Sequence, residues 1–240
     1  MFIKGNSLLN DIVNVYYINT NNISDTVHFT EILDEEEYKR YSKYSVGEAK
    51  KEFLLGRYLL KTVLGNYLEI HPGKIILKKN KYGKLYLDKN CHQINLKFNL
   101  SHSGGIVVGA FVLENDIGID IEKVDKDISN IVRRFFSPEE KEYISIISNN
   151  NPYPKRLLSY QIWTLREAYI KAKGFGLNIP LSSFSVFDDL GMFFYTRRIF
   201  SDYYLSIAVN NPEDRQYTIN FYELSVKAKN SSKDERTEVE

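Results

Sequence analysis

Apolar residues along the chain fall into two successions of the same kind, a long helix followed by short strands. Ile12 to Ile18 is dense in Val, Ile and Tyr and predicts a strand. Asp34 then stands as an N-cap before Glu35, Glu36 and Glu37, acids suited to a first helical turn. From Glu48 to Leu68 the residues Leu54, Leu55, Tyr58, Leu59, Val63 and Tyr67 recur at three- and four-residue spacing, which predicts a long helix. His71-Pro72-Gly73 breaks that pattern. Strands are expected at Ile75 to Leu77, Leu85 to Leu87 and Ile94 to Leu100, the first two joined around Lys81-Tyr82-Gly83-Lys84. Ser101-His102-Ser103-Gly104-Gly105 reads as a turn, Ile106 to Leu113 as a strand, Glu114 to Asp116 as a second turn and Ile117 to Val124 as a further strand.

The second half repeats this order. Ser137 is placed as an N-cap with Pro138 at the first helical position. After the break at Asn149 to Pro152, a helix is expected from about Lys155 to Lys173, stopping at Gly174. Strands follow at Ser183 to Phe187, Gly191 to Thr196, Tyr203 to Val209 and Tyr217 to Ser225. The expected organisation is an N-terminal subdomain over 1–113, a C-terminal one over 114–226, and a polar tail over 227–240 expected to be disordered.

Composition narrows the class. The 240 residues carry 32 Lys+Arg against 31 Asp+Glu, a formal net charge of +1, which argues against a broadly basic nucleic-acid binder. One cysteine, Cys91, excludes a disulfide framework and any multi-cysteine metal site. No apolar run approaches the roughly 20 residues of a membrane span, and the first residues lack the charged and apolar regions of a signal peptide. The expectation is a cytoplasmic protein with no membrane partner.

Three clusters could carry chemistry. In Gly118-Ile119-Asp120-Ile121-Glu122, strand alternation puts the isoleucines on one face and both carboxylates on the other, roughly 7 Å apart. Two like charges on one face call for a cation, and a hard divalent ion with oxygen ligands would serve. Taken alone, such alternation is also the ordinary mark of a half-buried strand. In Trp163-Thr164-Leu165-Arg166-Glu167-Ala168-Tyr169-Ile170-Lys171, helical spacing puts Trp163, Glu167 and Lys171 on one face; alone, that is an ordinary surface Glu–Lys pair. In Asn99-Leu100-Ser101-His102-Ser103-Gly104-Gly105, small residues around an imidazole could receive an anion, or form a plain turn.

In order, Tyr82-Gly83-Lys84, the Ser101-His102 segment, the Gly-x-Asp-x-Glu strand and the Trp163 to Lys171 helix resemble the 4′-phosphopantetheinyl transferases, most closely the surfactin-synthetase-activator type. Arg133-Arg134-Phe135-Phe136-Ser137 and Gly174-Phe175-Gly176-Leu177 also look like family segments. The resemblance implies an α+β fold of two similar α/β subdomains, a pseudo-dimer in one chain, each a small mainly antiparallel sheet packed with a long helix. It implies transfer of the phosphopantetheine arm of coenzyme A to a serine of an apo carrier protein (a peptidyl, aryl or acyl carrier domain), releasing adenosine 3′,5′-bisphosphate. By the same resemblance Asp120, Glu122 and Glu167 are Mg²⁺ ligands, with Mn²⁺ as a substitute metal. Glu167 is then the base and Lys171 the group at the leaving phosphate, both catalytic. Arg40, Lys84, Ser101, His102, Arg166 and Lys171 would bind coenzyme A. A monomer is implied, with the carrier meeting the stretch from Arg134 to Ile147 and the residues after Gly174.

Two positions depart from the family pattern. Arg166 stands where Lys is usual, and a planar fork replaces a point charge. Glu52 stands where an arginine is usual, with Lys51 or Arg57 as candidate substitutes. The acid cluster alone would equally suit a Mg²⁺-dependent phosphohydrolase, and the Glu52 departure alone would suit a non-catalytic carrier-protein binder.

Overall fold

The computed structural model describes residues 10–24, 26–88, 94–149, 151–176 and 180–226. The tail at 227–240 and Cys91 lie outside the described residues. In chain order the elements are β1 (Ile12–Asn19), α1 (Glu35–Lys43), α2 (Glu48–Leu68), β2 (Leu77–Lys79), β3 (Leu85–Leu87), β4 (Leu96–Ser103), β5 (Ile106–Leu113), β6 (Ile117–Lys123), α3 (Ser129–Phe135), α4 (Pro138–Ser148), α5 (Pro152–Lys173), β7 (Met192–Ile199), β8 (Tyr203–Asn210) and β9 (Thr218–Glu223).

Strand alternation sets the layers. β5 is apolar at nearly every position because both of its faces are covered. Val107 and Phe111 turn toward α2, whose Leu55, Leu59 and Val63 cover that side. Ile106, Val108, Ala110 and Val112 turn the other way, onto Ile117, Ile119 and Ile121 of β6 and Leu205, Ile207 and Val209 of β8. The strand order is β4-β5-β1-β9 in the first sheet and β6-β8-β7 in the second. The second sheet's outer face takes α5 through Ala168, Ala172 and Ala208. The result is helix, sheet, sheet, helix, an α+β architecture in which each sheet carries its own long helix. No helix among the described residues is long and apolar enough to cross a membrane.

The caps follow local chemistry. Asp34 and Ser137 both close capping boxes, with Glu37 and Glu140 returning the bond to the cap backbone. Asn151 caps α5 with Pro152 at its first position, so the helix begins at Pro152 and not at Lys155. Gly174 ends it in the left-handed region, at φ 70°.

Two expectations are corrected. Ser101, His102 and Ser103 belong to β4, and only Gly104 and Gly105, at φ 53° and 85°, form the turn. Ser183 to Phe187 forms no strand, because side chains satisfy its backbone. The Phe184 carbonyl accepts from Arg166, while the Ser185 and Val186 N–H groups donate to Asp188 and Glu140. At the edge of the first sheet, β9 pairs parallel with β1. Tyr222 stacks on Tyr16 at 5.1 Å and Asn220 Nδ2 donates to Asn14 Oδ1, holding that edge.

Candidate active site

The two sheets meet along a polar seam. Alternation on β4 sends Asn99, Ser101 and Ser103 to one side, toward the edge of β6. There the Ile119 N–H donates to Asn99 Oδ1 (3.1 Å), the Ile121 N–H to Ser101 Oγ (3.4 Å) and the Lys123 N–H to Ser103 Oγ (3.2 Å). Side-chain oxygens thus replace the carbonyls of a neighbouring strand and satisfy an edge that would otherwise be unpaired. The same serines continue into the carboxylates. Ser101 Oγ donates to Asp120 Oδ1 and Ser103 Oγ to Glu122 Oε2, both at 2.9 Å.

From the other side α5 presses on β6 at Gly118. A side chain there would run into the backbone of Ala168 and Ala172, so only glycine permits the approach. This contact brings Lys171 over Asp120. Lys171 Nζ lies 2.6 Å from Asp120 Oδ1 and donates to Ser101 Oγ at 2.8 Å. Asp120 is only 3% exposed, and its second oxygen, Oδ2, is buried with no hydrogen-bond partner.

Burial, then the charge of Asp120, pushes the Glu122 carboxyl up to about 7. The same two causes, in the same order, raise Glu167. Three half-desolvated carboxylates with one lysine among them form a locus short of positive charge. As they are oriented, no three His, Cys, Asp or Glu side chains among the described residues form a ready metal cage; Lys171 is the cation drawn to Asp120. The orphaned Asp120 oxygen and the mutual repulsion of the three acids nevertheless fit a hard divalent cation.

A cavity of about 370 Å³ opens beside this cluster. Its walls are Tyr82, Gly83 and Lys84 from the β2–β3 turn, Phe98, Leu100 and His102 from β4, Leu60 of α2, and Glu167, Ile170 and Lys171 of α5. Of the residues expected at the site, Lys84, His102, Glu167 and Lys171 line it, and Ser101 and Asp120 stand behind Lys171.

Other expected residues sit differently. Arg166 is 0% exposed and turned away from the cavity. Its Nη1 donates to both oxygens of Glu140 on α4, at 2.6 and 2.7 Å, and to the Phe184 carbonyl at 3.1 Å, while Nη2 donates to the Leu181 carbonyl. The expectation that it binds coenzyme A is therefore corrected: consecutive helix positions turn it away from Glu167 and the cavity, and both of its terminal nitrogens donate inside the protein. Arg40 is exposed, over the ring of Phe53, in a small neighbouring depression that shares Leu85 with the cavity wall. Lys84 lines the cavity, but its Nζ donates to the carbonyls of Ile117 and Ala172, and burial brings its ammonium down to about 8.

Sequence reading put Asn99 and Ser103 in a candidate anion-binding turn and not at the seam, and missed Glu140 and Asn80. The signal for the first two was the period-two pattern Asn99-x-Ser101-x-Ser103, which matches a strand edge as well as a turn. Asn80 Oδ1 accepts from the Tyr82 and Lys84 N–H groups while its Nδ2 donates to the Gly174 carbonyl, tying the hairpin turn to the end of α5.

Two family models match, one described as the 4′-phosphopantetheinyl transferase superfamily over residues 116–223 and one as the 4′-phosphopantetheinyl transferase N-terminal region over residues 21–113. Among similar proteins are the 4′-phosphopantetheinyl transferase HetI of Nostoc sp., 32% identical over 147 residues, and the 4′-phosphopantetheinyl transferase ffp of Bacillus subtilis, 32% identical over 164 residues. A third, 4′-phosphopantetheinyl transferase of Bacillus subtilis, is 37% identical over 133 residues. The matched stretches cover 60%, 68% and 55% of this chain and 61%, 69% and 56% of those relatives. The seam, the carboxylate cluster and the cavity beside them lie within the two matched regions, and the chain belongs to the 4′-phosphopantetheinyl transferase superfamily, surfactin-synthetase-activator type.

Proposed function

We propose that this chain transfers the 4′-phosphopantetheine arm of coenzyme A to a serine of an apo carrier protein and releases adenosine 3′,5′-bisphosphate. The observation that carries this reading is the Asp120, Glu122, Glu167 and Lys171 cluster beside the cavity under Lys84 and His102. In the transfer, the carrier serine oxygen attacks the phosphorus that bears the pantetheine arm, and the bond to the bisphosphate leaving group breaks. Glu167, whose carboxyl burial raises above its ordinary value, accepts the serine proton. Lys171 leaves Asp120 for the leaving phosphate and neutralises its charge.

Mg²⁺, or Mn²⁺ in its place, would be held by Asp120, Glu122 and Glu167, and would supply charge neutralisation at the pyrophosphate. The buried, unpartnered Asp120 Oδ2 supports that assignment. Arg40 would act at the rim of the site. A wider groove of about 910 Å³ lies along α3 and the start of α5, and Arg133, Lys141, Lys155 and Arg156 give it a cationic wall suited to an acidic carrier surface. We place the protein in the cytoplasm as a monomer, with no nucleic-acid partner.

The test is incubation with coenzyme A, Mg²⁺ and a panel of apo carriers, read by intact mass. The carrier should gain one phosphopantetheine. Hydrolysis of coenzyme A with no carrier present, or no gain on any carrier, would refute the assignment.

A further inference from the structure

His102 and Ser101 are neighbours in sequence but lie on opposite faces of β4. Ser101 joins the seam to Asp120, whereas His102 shares the face of Leu96, Phe98 and Leu100, which packs toward α2. That face brings its imidazole to Glu52, near the start of α2, with Nδ1 3.0 Å from Glu52 Oε2. The two face each other as an acid and a base, and a carboxylate at that distance favours a hydrogen on the facing ring nitrogen. The ring's second nitrogen, Nε2, then points from the opposite edge. The His102 side chain is 48% exposed and lines the cavity with Lys171; the Glu52 side chain is 12% exposed and stands outside the lining.

We propose that Glu52 is a positioning residue, which holds the His102 ring in its Nδ1–H form and turns Nε2 toward the cavity to meet an anionic group of the substrate. The proposal rests on the coenzyme A reading. An acid at this point of α2 would, by charge alone, oppose a phosphate. Facing His102 it acts through the ring: a carboxylate on one side and the substrate's anion on the other call for a donor at each ring nitrogen. Other charged and titratable groups near the pair are Lys123, whose side chain lies against Gly104; Tyr203, whose hydroxyl donates to the Gly104 carbonyl and feels the Glu52 charge; and Glu167 and Lys171 in the cavity wall.

The experiment combines long-range ¹H–¹⁵N NMR of the His102 ring in the ligand-free protein with calorimetric titration of coenzyme A in the absence of carrier. Wild type should show the Nδ1–H form, and Glu52→Ala should lose it. Glu52→Ala should weaken coenzyme A binding about three- to tenfold, the loss of one hydrogen bond, with kcat changed less than about twofold. Glu52→Gln keeps an acceptor oxygen and should retain most of the affinity. In a His102→Ala background, Glu52→Ala should have no further effect. An Nε2–H ring in wild type, or the same loss on Glu52→Ala with and without His102, would overturn the proposal. An Nδ1–H ring in a wild type that binds no coenzyme A would instead overturn the coenzyme reading and leave the ring assignment standing.

Discussion

Arg166→Met separates the structural account of the motif helix from the one its sequence invites. Both Arg166 and Glu140 are fully buried, and the pair links α5 to α4 and to the segment at 181–186. Glu140 accepts not only from Arg166 but also from the Ser137 and Val186 N–H groups, each at 2.9 Å. Removing the guanidinium leaves a carboxylate in the interior with two neutral donors. Stripping one partner from a buried ion pair costs about 3–5 kcal/mol. The carbonyls of Leu181 and Phe184 also lose their charged donor, at about 1 kcal/mol or more each.

For a chain of this length each kcal/mol moves the midpoint by about 2–4 °C, so the ion-pair term alone should lower Tm by about 6–20 °C. Removing both charges, in Arg166→Met/Glu140→Leu, should recover much of that loss but not all, since Glu140 also completes the cap of α4. Arg166→Lys keeps the charge and loses the fork, and should fall between. The assay is urea unfolding of the four proteins beside coenzyme A titration. A variant Arg166→Met within about 1 kcal/mol of wild type would refute the buried-pair argument. So would a large loss of coenzyme A affinity at unchanged stability, since that would put Arg166 on the substrate after all.

Three further outcomes are expected. Mg²⁺ should raise the melting temperature of wild type, and Asp120→Asn should abolish that rise and slow transfer by about a hundredfold or more, as for loss of a transition-state charge contact; an unchanged Mg²⁺ response would remove Asp120 from the ligand set. Because burial lowers the Lys84 ammonium to about 8, the unfolded chain holds that proton to higher pH than the folded one; wild type should therefore gain stability relative to Lys84→Met as pH rises from about 8 to 10.5, with the full penalty present below 8, and a pH-independent difference in urea unfolding would contradict it. Reversing charge in the groove with Arg133→Glu or Lys155→Glu should raise the carrier KM and leave coenzyme A affinity unchanged; equal loss of both would move the carrier surface elsewhere.

What could be read from sequence was whatever depends on period and local chemistry. The α2 helix follows from its apolar spacing and α4 from its capping box, and the alternation of isoleucines and acids on β6 told which face each would take. It did not tell that the acid face would be covered. That depends on Gly118, whose missing side chain lets α5 lie against β6 and converts a solvent-facing pattern into a desolvated cluster. The return of β9 to β1 was equally hidden, because nothing in an alternating strand names its partner across the chain.

Arg166 shows why motif reading fails at one residue while succeeding at its neighbour. Consecutive helix positions differ by 100°, so a motif that puts Glu167 and Lys171 in the cavity wall must aim Arg166 elsewhere. The same rule acts on β4 with a period of two: Ser101 can serve Asp120 only if His102 turns to α2. Both cases put the residue of opposite facing to work in holding the site. Arg166 fixes the segment packed against α5, and His102 finds a carboxylate on α2. Glu52, which looked like a lost phosphate contact when residues were read singly, is thereby connected to the cavity through a ring that sequence order had assigned to a turn.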